Sequence, residues 1–370
     1  MATAFWIAAF FGHGALWVEL VNRLHGLGWQ RKLIDAATVF CSLACAGVPL
    51  VGAGLLIAGY APRWLVGYGW LSIGVLAIVL LTRAGLHWDP RRDTRTKRVQ
   101  SSVLDLRQRL GEAATGSDRL HKLAKLPGNQ LLKPRVEAYD IPIERLPSAL
   151  EGLRIAHLTD LHMSGRLTIG YFQEILREVQ AWEPDLVCVT GDIVEHMPQM
   201  DWIDDTLGTL SPRYGSYFIL GNHDTKIDSD ALRERLTTAG LHDVGGKSIE
   251  VSCGGTTLQI CGDERPWFSA APPIAENDET TLCLAHTPDR FGWAIRNRVD
   301  LLLAGHNHGG QVCFPLWGAL LCPSRHGVRY AAGTFRAKQT VMHVGRGTGS
   351  LFPLRYLCPP EVALITLTRG

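Results

Sequence analysis

The sequence contains no CxxC pair, no internal repeat and no low-complexity tract. A zinc ribbon needs paired thiolates, so that class is excluded. Its nine cysteines are odd in number and scattered, which does not make a disulfide framework. They read as small core residues of a protein from a reducing compartment. Charge is also sparse: 19% of residues are charged, against about 25% in average soluble proteins. Hydrophobic residues make up 46%, an ordinary globular share that argues against disorder and collagen-like repeats. At 370 residues the chain exceeds one small domain.

The net charge of +2 hides an asymmetry. Residues 1–83 hold five Lys/Arg and two Asp/Glu, residues 84–135 twelve and five, and residues 136–370 twenty and twenty-eight. The chain divides into an apolar head (1–83), a basic neck (84–135) and an acidic body (136–370). An acidic body lacks the surface that a phosphate backbone requires, so nucleic acid is not expected as a partner.

The head carries 25 residues without formal charge from Ala36 to Tyr60, and 19 more from Trp64 to Thr82. Either run can cross a hydrocarbon core of about 30 Å as a helix. Pro49 is tolerated there. Only Ala61-Pro62-Arg63 separates the two, which predicts a tight transmembrane hairpin. Thr3 to Val18 is a third, shorter apolar run containing His13, so two or three spans are open. That run has no basic start and two further spans follow it, unlike a cleaved signal peptide. Arg23, Arg31 and Lys32 precede the hairpin, and Arg83, Arg91, Arg92, Arg95, Lys97 and Arg98 follow it, whereas the linking turn holds only Arg63. The positive-inside bias predicts a multi-pass inner-membrane protein with a cytoplasmic body. In the neck, Val103–Leu110 suggests a short surface helix ending near Gly111, either on anionic lipid or in a solvated linker.

In the body, strand-like Leu153–Leu158, Leu186–Thr190 and Ser216–Leu220 alternate with helix-like Tyr171–Trp182, Asp201–Leu210 and Asp230–Ala239. Strand signals then dominate: Ser248–Cys253 and Thr257–Cys261 around Gly254-Gly255, then Thr281–Ala285, Leu301–Ala304, Thr340–Val344 and Val362–Leu367. This order predicts two packed sheets with helices outside. Pro266–Glu279 reads as a flap whose Trp267-Phe268 would meet an acyl chain or simply pack.

Five polar strings each follow an apolar strand: Thr159-Asp160-Leu161-His162, Gly191-Asp192, Gly221-Asn222-His223-Asp224, Ala285-His286-Thr287 and Gly305-His306-Asn307-His308-Gly309-Gly310-Gln311. Strand carboxyl ends are where α/β sheets gather ligand groups. Imidazoles with carboxylates suit manganese, iron, zinc or nickel better than calcium. The donors outnumber one ion's needs and fit two divalent ions sharing a carboxylate, about 3.5–4 Å apart.

In this order the strings resemble the calcineurin-like metallophosphoesterase family, whose pattern is D-x-H, G-D, G-N-H-D, H and G-H-x-H. The resemblance spans about residues 136–370. It implies a four-layer α/β/β/α sandwich, here preceded by an N-terminal transmembrane helical region. It further implies one ion on Asp160, His162 and His308, a second on Asn222, His286 and His306, and Asp192 bridging them. His223 would act on the leaving oxygen, and Asp224 would orient it. Gly345–Gly349, Pro353-Leu354-Arg355 and Cys358–Val362, with Pro323-Ser324-Arg325, resemble the family's membrane-anchored bacterial branch. There Arg346 would bind phosphate or pair with a carboxylate, and His196 would reach substrate or stay exposed. The resemblance implies cleavage of a phosphodiester or pyrophosphate bond, with a lipid-linked substrate such as UDP-2,3-diacylglucosamine of lipid A synthesis and manganese as the leading metal. Alternatives are a broad or nucleotide phosphodiesterase and a non-catalytic metal-containing membrane scaffold.

Overall fold

The computed structural model describes residues 2–29, 31–274 and 279–370. The chain forms two compact units: Met1–Pro90 with Leu320–Arg329, and Arg91–Ala319 with Tyr330–Gly370. Of the expected flap, residues 275–278 lie outside the described residues.

The first unit is helical, with α1 (Ala2–His25), α2 (Arg31–Ile57) and α3 (Arg63–Leu86). Apolar stretches of 23, 26 and 24 residues in these helices are each long enough to cross a membrane. The first run therefore extends well beyond Val18. Its charged end is neutralised within the bundle, where Glu19 takes Arg83 at 3.2 Å and also pairs with Arg23. Large apolar side chains point outward, with Ile57 88%, Leu81 73% and Leu50 72% exposed. Water would penalise that surface and hydrocarbon would not. Gly12 lets α1 and α3 close up, because a Cβ there would sit 1.9 Å from the Ser72 carbonyl oxygen.

Leu320–Arg329 belongs to this helical unit although it follows the last histidine motif. The Leu320 carbonyl accepts from Asn22 Nδ2 at 2.9 Å, and Asn22 Oδ1 accepts from Cys322 N at 2.9 Å. Arg325 Nε donates to the Gly26 carbonyl at 2.7 Å, and Arg329 grips Asp89 with two bonds of 2.5 and 2.7 Å.

The second unit holds β1 (Lys97–Val103), α4 (Leu106–Leu110), α5 (Asp118–Ala124), β2 (Arg135–Ile143), β3 (Arg154–Leu158), α6 (Ile169–Ala181), β4 (Leu186–Thr190) and β5 (Ser216–Ile219). There follow α7 (Ser229–Thr238), β6 (Leu241–Asp243), β7 (Ser248–Cys253), β8 (Thr256–Asp263), β9 (Thr280–Ala285), α8 (Phe291–Arg296) and β10 (Leu301–Ala304). The chain ends with β11 (Cys313–Phe314), β12 (Gly318–Ala319), β13 (Gly333–Ala337), β14 (Thr340–Val344) and β15 (Glu361–Arg369). One sheet runs β1-β2-β15-β3-β4-β5-β6 and the other β13-β14-β10-β9-β8-β7.

Strand periodicity builds the layers. In β4, Leu186 and Cys188 face the core between the sheets, while Val187 and Val189 face the core under α6 and α7. In β10, Leu301 and Leu303 face inward, while Leu302 and Ala304 join Phe291 and Ala294 of α8. The result is the four-layer α/β/β/α sandwich. Helix α6 buries Tyr171, Phe172, Ile175, Leu176 and Val179, one face at 3.6 periodicity.

Three sequence expectations change. The basic stretch 84–135 reads as a linker, yet it contributes the edge strand β1 and buries Leu104, Leu106, Leu120, Leu131 and Leu132 in the outer core. Its charges sit on an exposed strand edge and helix surface, so composition alone hides the fold. Of Val103–Leu110 only Leu106–Leu110 is helical, stopped at Gly111 with φ 57°. Asp201–Leu210, expected as a helix, forms only 3₁₀ turns at Met197–Trp202 and Leu207–Thr209.

Candidate metal centre

The loops after β3, β4, β5, β9 and β10 bring their polar residues together at the strand carboxyl ends. Three groups of facing ligand atoms result: Asp160, His162 and His308; His162, Asp192 and His223; and Asp192, His286 and His306. The His162 and His308 Nε2 atoms lie 2.9 Å apart, and His286 Nε2 lies 3.2 Å from His306 Nδ1. Asp192 Oδ2 is 3.3 Å from His286 Nε2 and 3.7 Å from His162 Nε2, between the two sets. Asn222 Oδ1 is 3.0 Å from His286 Nε2. His308 Nε2 is 3.4 Å from Asp160 Oδ1.

Divalent cations fit this donor set. Ring nitrogens aimed at one another at 3 Å need a proton or a cation between them, and the carboxylates supply negative charge without thiolate. The backbone is strained in the same place. Asp160, His162, Asp192, His306 and His308 all have φ between 47° and 69°, the left-handed region that L side chains avoid. Crowding is equally telling: a Cβ on Gly305 would meet Asp160 Oδ2 at 2.3 Å, and one on Gly221 would meet Asp192 Oδ1 at 2.3 Å.

Further partners set the rings. His286 Nδ1 faces the Thr190 carbonyl at 2.7 Å, and His162 Nδ1 faces Glu195 Oε1 at 2.6 Å. Each contact takes the Nδ1 proton and leaves the Nε2 lone pair for the centre. Arg355, fully buried, donates to the His308 and Arg346 carbonyls at 2.9 Å and directs Nη2 at His308 Nδ1 at 3.2 Å.

Electrostatics follow from burial. Burial opposes charge on His286, yet the Asp192 and Asp160 charges carry it up to about 9. A cation entering would displace that proton. Burial also opposes ionisation of Asp192, but His286, His223 and His162 hold it well below the usual carboxylate range. Glu195 is likewise lowered, by its bonds to His162 and His223.

Asp224 departs from its expected place. Its carboxylate accepts from the backbone N–H groups of Asp192, Ile193, Val194 and Gly221 at 2.8–3.3 Å. Burial and the Asp192 charge push it up to about 7, against those N–H donors. It therefore shapes two ligand loops, while Glu195 Oε1 meets the His223 ring, 2.5 Å from Nδ1. Lys226 Nζ completes this group, 2.9 Å from Glu195 Oε2 and close to His223 Nδ1. Glu195 and Lys226 were missed in the sequence. The signal available was position only, three residues after Asp192 and two after Asp224.

Arg346 lies 3.5 Å from Glu361 Oε2, which is the carboxylate pairing. His196 is exposed, follows Glu195 directly and precedes a 3₁₀ turn. Trp267 and Phe268 separate: Trp267 lies 4.9 Å from the His306 ring and 5.5 Å from His286, while Phe268 packs on the core and under Arg233.

Residues 153–310 match the calcineurin-like phosphoesterase family. The chain carries a metallophosphoesterase domain and is a hydrolase of that class. It is 27% identical over 234 residues to the uncharacterised metallophosphoesterase YkuE of Bacillus subtilis, covering 60% of this chain and 81% of that one. It is 28% identical to the phosphodiesterase YaeI of Escherichia coli, covering 58% and 82%. A transmembrane protein with metallophosphoesterase domain from Danio rerio is 30% identical, covering 65% of this chain and 59% of its own.

Proposed function

We propose that this protein is a membrane-anchored two-metal phosphohydrolase that cleaves a phosphodiester or pyrophosphate bond of a lipid-linked substrate at the cytoplasmic face of the inner membrane. The observation that carries the reading is Asp192, set between two ligand groups in a chain with three spanning-length helices.

Asp160, His162 and His308 would hold one ion, and Asn222, His286 and His306 the other, with Asp192 shared between them. Divalent ions there would supply positive charge for the phosphoryl oxygens and an activated water; manganese is the leading choice, with iron, zinc and nickel as alternatives. The protein's own groups do the rest. Glu195 and Lys226 hold the Nδ1 edge of His223, so its Nε2 edge is left to give a proton to the leaving oxygen. Asp224 fixes the loop backbones that carry Asp192 and Asn222. Trp267 walls the His286–His306 side and excludes water from it.

UDP-2,3-diacylglucosamine is the leading substrate candidate, because the spans and the basic residues beside them favour a lipid-borne phosphate over a free nucleotide. The test is product analysis by mass spectrometry, using full-length protein in detergent with manganese and this lipid. Release of UMP and the lipid monophosphate by wild type, and not by His223→Ala, supports the reading. Hydrolysis of an aryl phosphodiester alone discards the lipid substrate. Inactivity on both with metal bound favours a scaffold.

A further inference from the structure

We propose that the β11–β12 hairpin and the loop beside it insert into the bilayer interface, in the leaflet at the charged end of α1 and α3. In this hairpin Cys313 pairs with Ala319 and Phe314 with Gly318, leaving Pro315-Leu316-Trp317 at the tip. Phe314 is 48%, Leu316 88% and Trp317 49% exposed. Leu316 has φ 66°, a turn position where glycine or asparagine is favoured, so the turn itself does not call for a leucine.

The apolar surface continues. Cys313 N donates to the Tyr356 carbonyl at 2.8 Å, which sets the hairpin beside the 352–357 loop with its exposed Phe352 and Leu357. Tyr356 Oη donates to the Pro127 carbonyl, next to exposed Leu126, to Lys122 of α5 and to Lys125 just past its end. Apolar and aromatic tips with a lysine flank are the composition that seats in anionic headgroups.

Covalent connection selects the occupant. β12 ends at Ala319, and the next carbonyl, that of Leu320, is held by Asn22 and Arg83 at the charged helix ends. Four residues of chain reach about 14 Å at most, so the Leu316 tip cannot leave the neighbourhood of the bilayer. At its other end the hairpin begins just after Gln311 of the histidine loop, and Arg355 of the neighbouring loop is bonded to the His308 carbonyl. An inserted hairpin would tether the loop that continues from His306 and His308 to the surface that carries a lipid-borne phosphoester. That consequence rests on the lipid-linked reading above; the insertion does not.

The experiment places a photoreactive diazirine amino acid at Leu316 of the full chain in phosphatidylethanolamine–phosphatidylglycerol nanodiscs. The same probe at Glu250, exposed on β7, is the control. Lipid adducts at 316 should exceed those at 250 by about tenfold. Equal yields, or adducts to protein instead of lipid, overturn the proposal. In a second arm, Leu316→Glu with Trp317→Glu should slow hydrolysis of a vesicle-borne lipid phosphodiester by about tenfold and leave a soluble aryl phosphodiester unchanged. Unchanged rates on vesicle lipid overturn the delivery role. Lipid adducts with no lipid hydrolysis by wild type support the insertion while removing the lipid substrate.

Discussion

The helical unit and the catalytic unit treat polarity in opposite ways. The helical unit keeps its ionised groups, Arg63 apart, at one end, where Glu19 meets Arg83 and Asp89 meets Arg329, and turns Leu50, Ile57 and Leu81 outward. The catalytic unit turns its leucines and valines inward and buries Asp160, Asp192, Asp224 and His286 completely or nearly so. Each arrangement is costly in the other's surroundings. Buried carboxylates are tolerable only where imidazoles, backbone N–H groups or cations answer them. An outward apolar surface is tolerable only against lipid. Polar residues in the body therefore signal chemistry, whereas those of the head clamp the chain.

The largest effect expected from this contrast is at Asp192. Asp192→Ala should cut turnover by more than about a thousandfold and lose at least one ion, read by steady-state rates and metal analysis. Full metal content with normal turnover would remove Asp192 from the centre. His223→Ala should slow turnover by about 10² to 10⁴ while both ions stay bound. Loss of metal would make His223 a ligand instead of a proton donor.

The solvent contrast is sharpened by an arginine scan. Ile78→Arg, on the exposed face of α3, should cost about 3 kcal/mol of membrane insertion. Carbonate extraction would read it as protein lost from the membrane fraction. Glu250→Arg on the body surface should stay within about 0.5 kcal/mol in thermal unfolding. Similar behaviour of the two would erase the distinction.

Glu195→Gln tests a residue that touches two rings at once. It should lower metal affinity or turnover by about 10–100-fold, with Glu195→Asp partly restoring both. An unaltered enzyme would show that neither His162 nor His223 needs it. The clamp is tested on stability alone: Asn22→Leu removes both bonds to the 320–322 backbone and should cost about 1–3 kcal/mol in detergent thermal melts, with soluble-substrate turnover unchanged.

Much of this was legible in the residues. Two of the three spans show as uncharged runs, and β4, β7, β10 and β14 fall at the residues their patterns mark. The seven candidate ligands are legible because each sits where an apolar strand stops. Three things were not. β1 is the edge strand of its sheet with every residue exposed, so Lys97–Val103 carries a polar pattern that reads as linker. The length of α1 was obscured by Glu19 and Arg23, which the bundle neutralises. Leu320–Arg329 shows no apolar run, because its own backbone and arginines make its contacts with the helices.

The sequence by itself determined the apolar head, the α/β body and the order of the candidate ligand strings, since hydrophobic period, uncharged length and motif order are local properties of the chain. Only the tertiary structure decided which atom meets which. It gave Asp224 to four backbone N–H groups and Glu195 to His162 and His223, and it turned Arg346 to Glu361. The reason is physical. A side chain's partner is fixed by hydrogen-bond distance and direction between segments far apart in sequence, and those are set by sheet register and loop conformation.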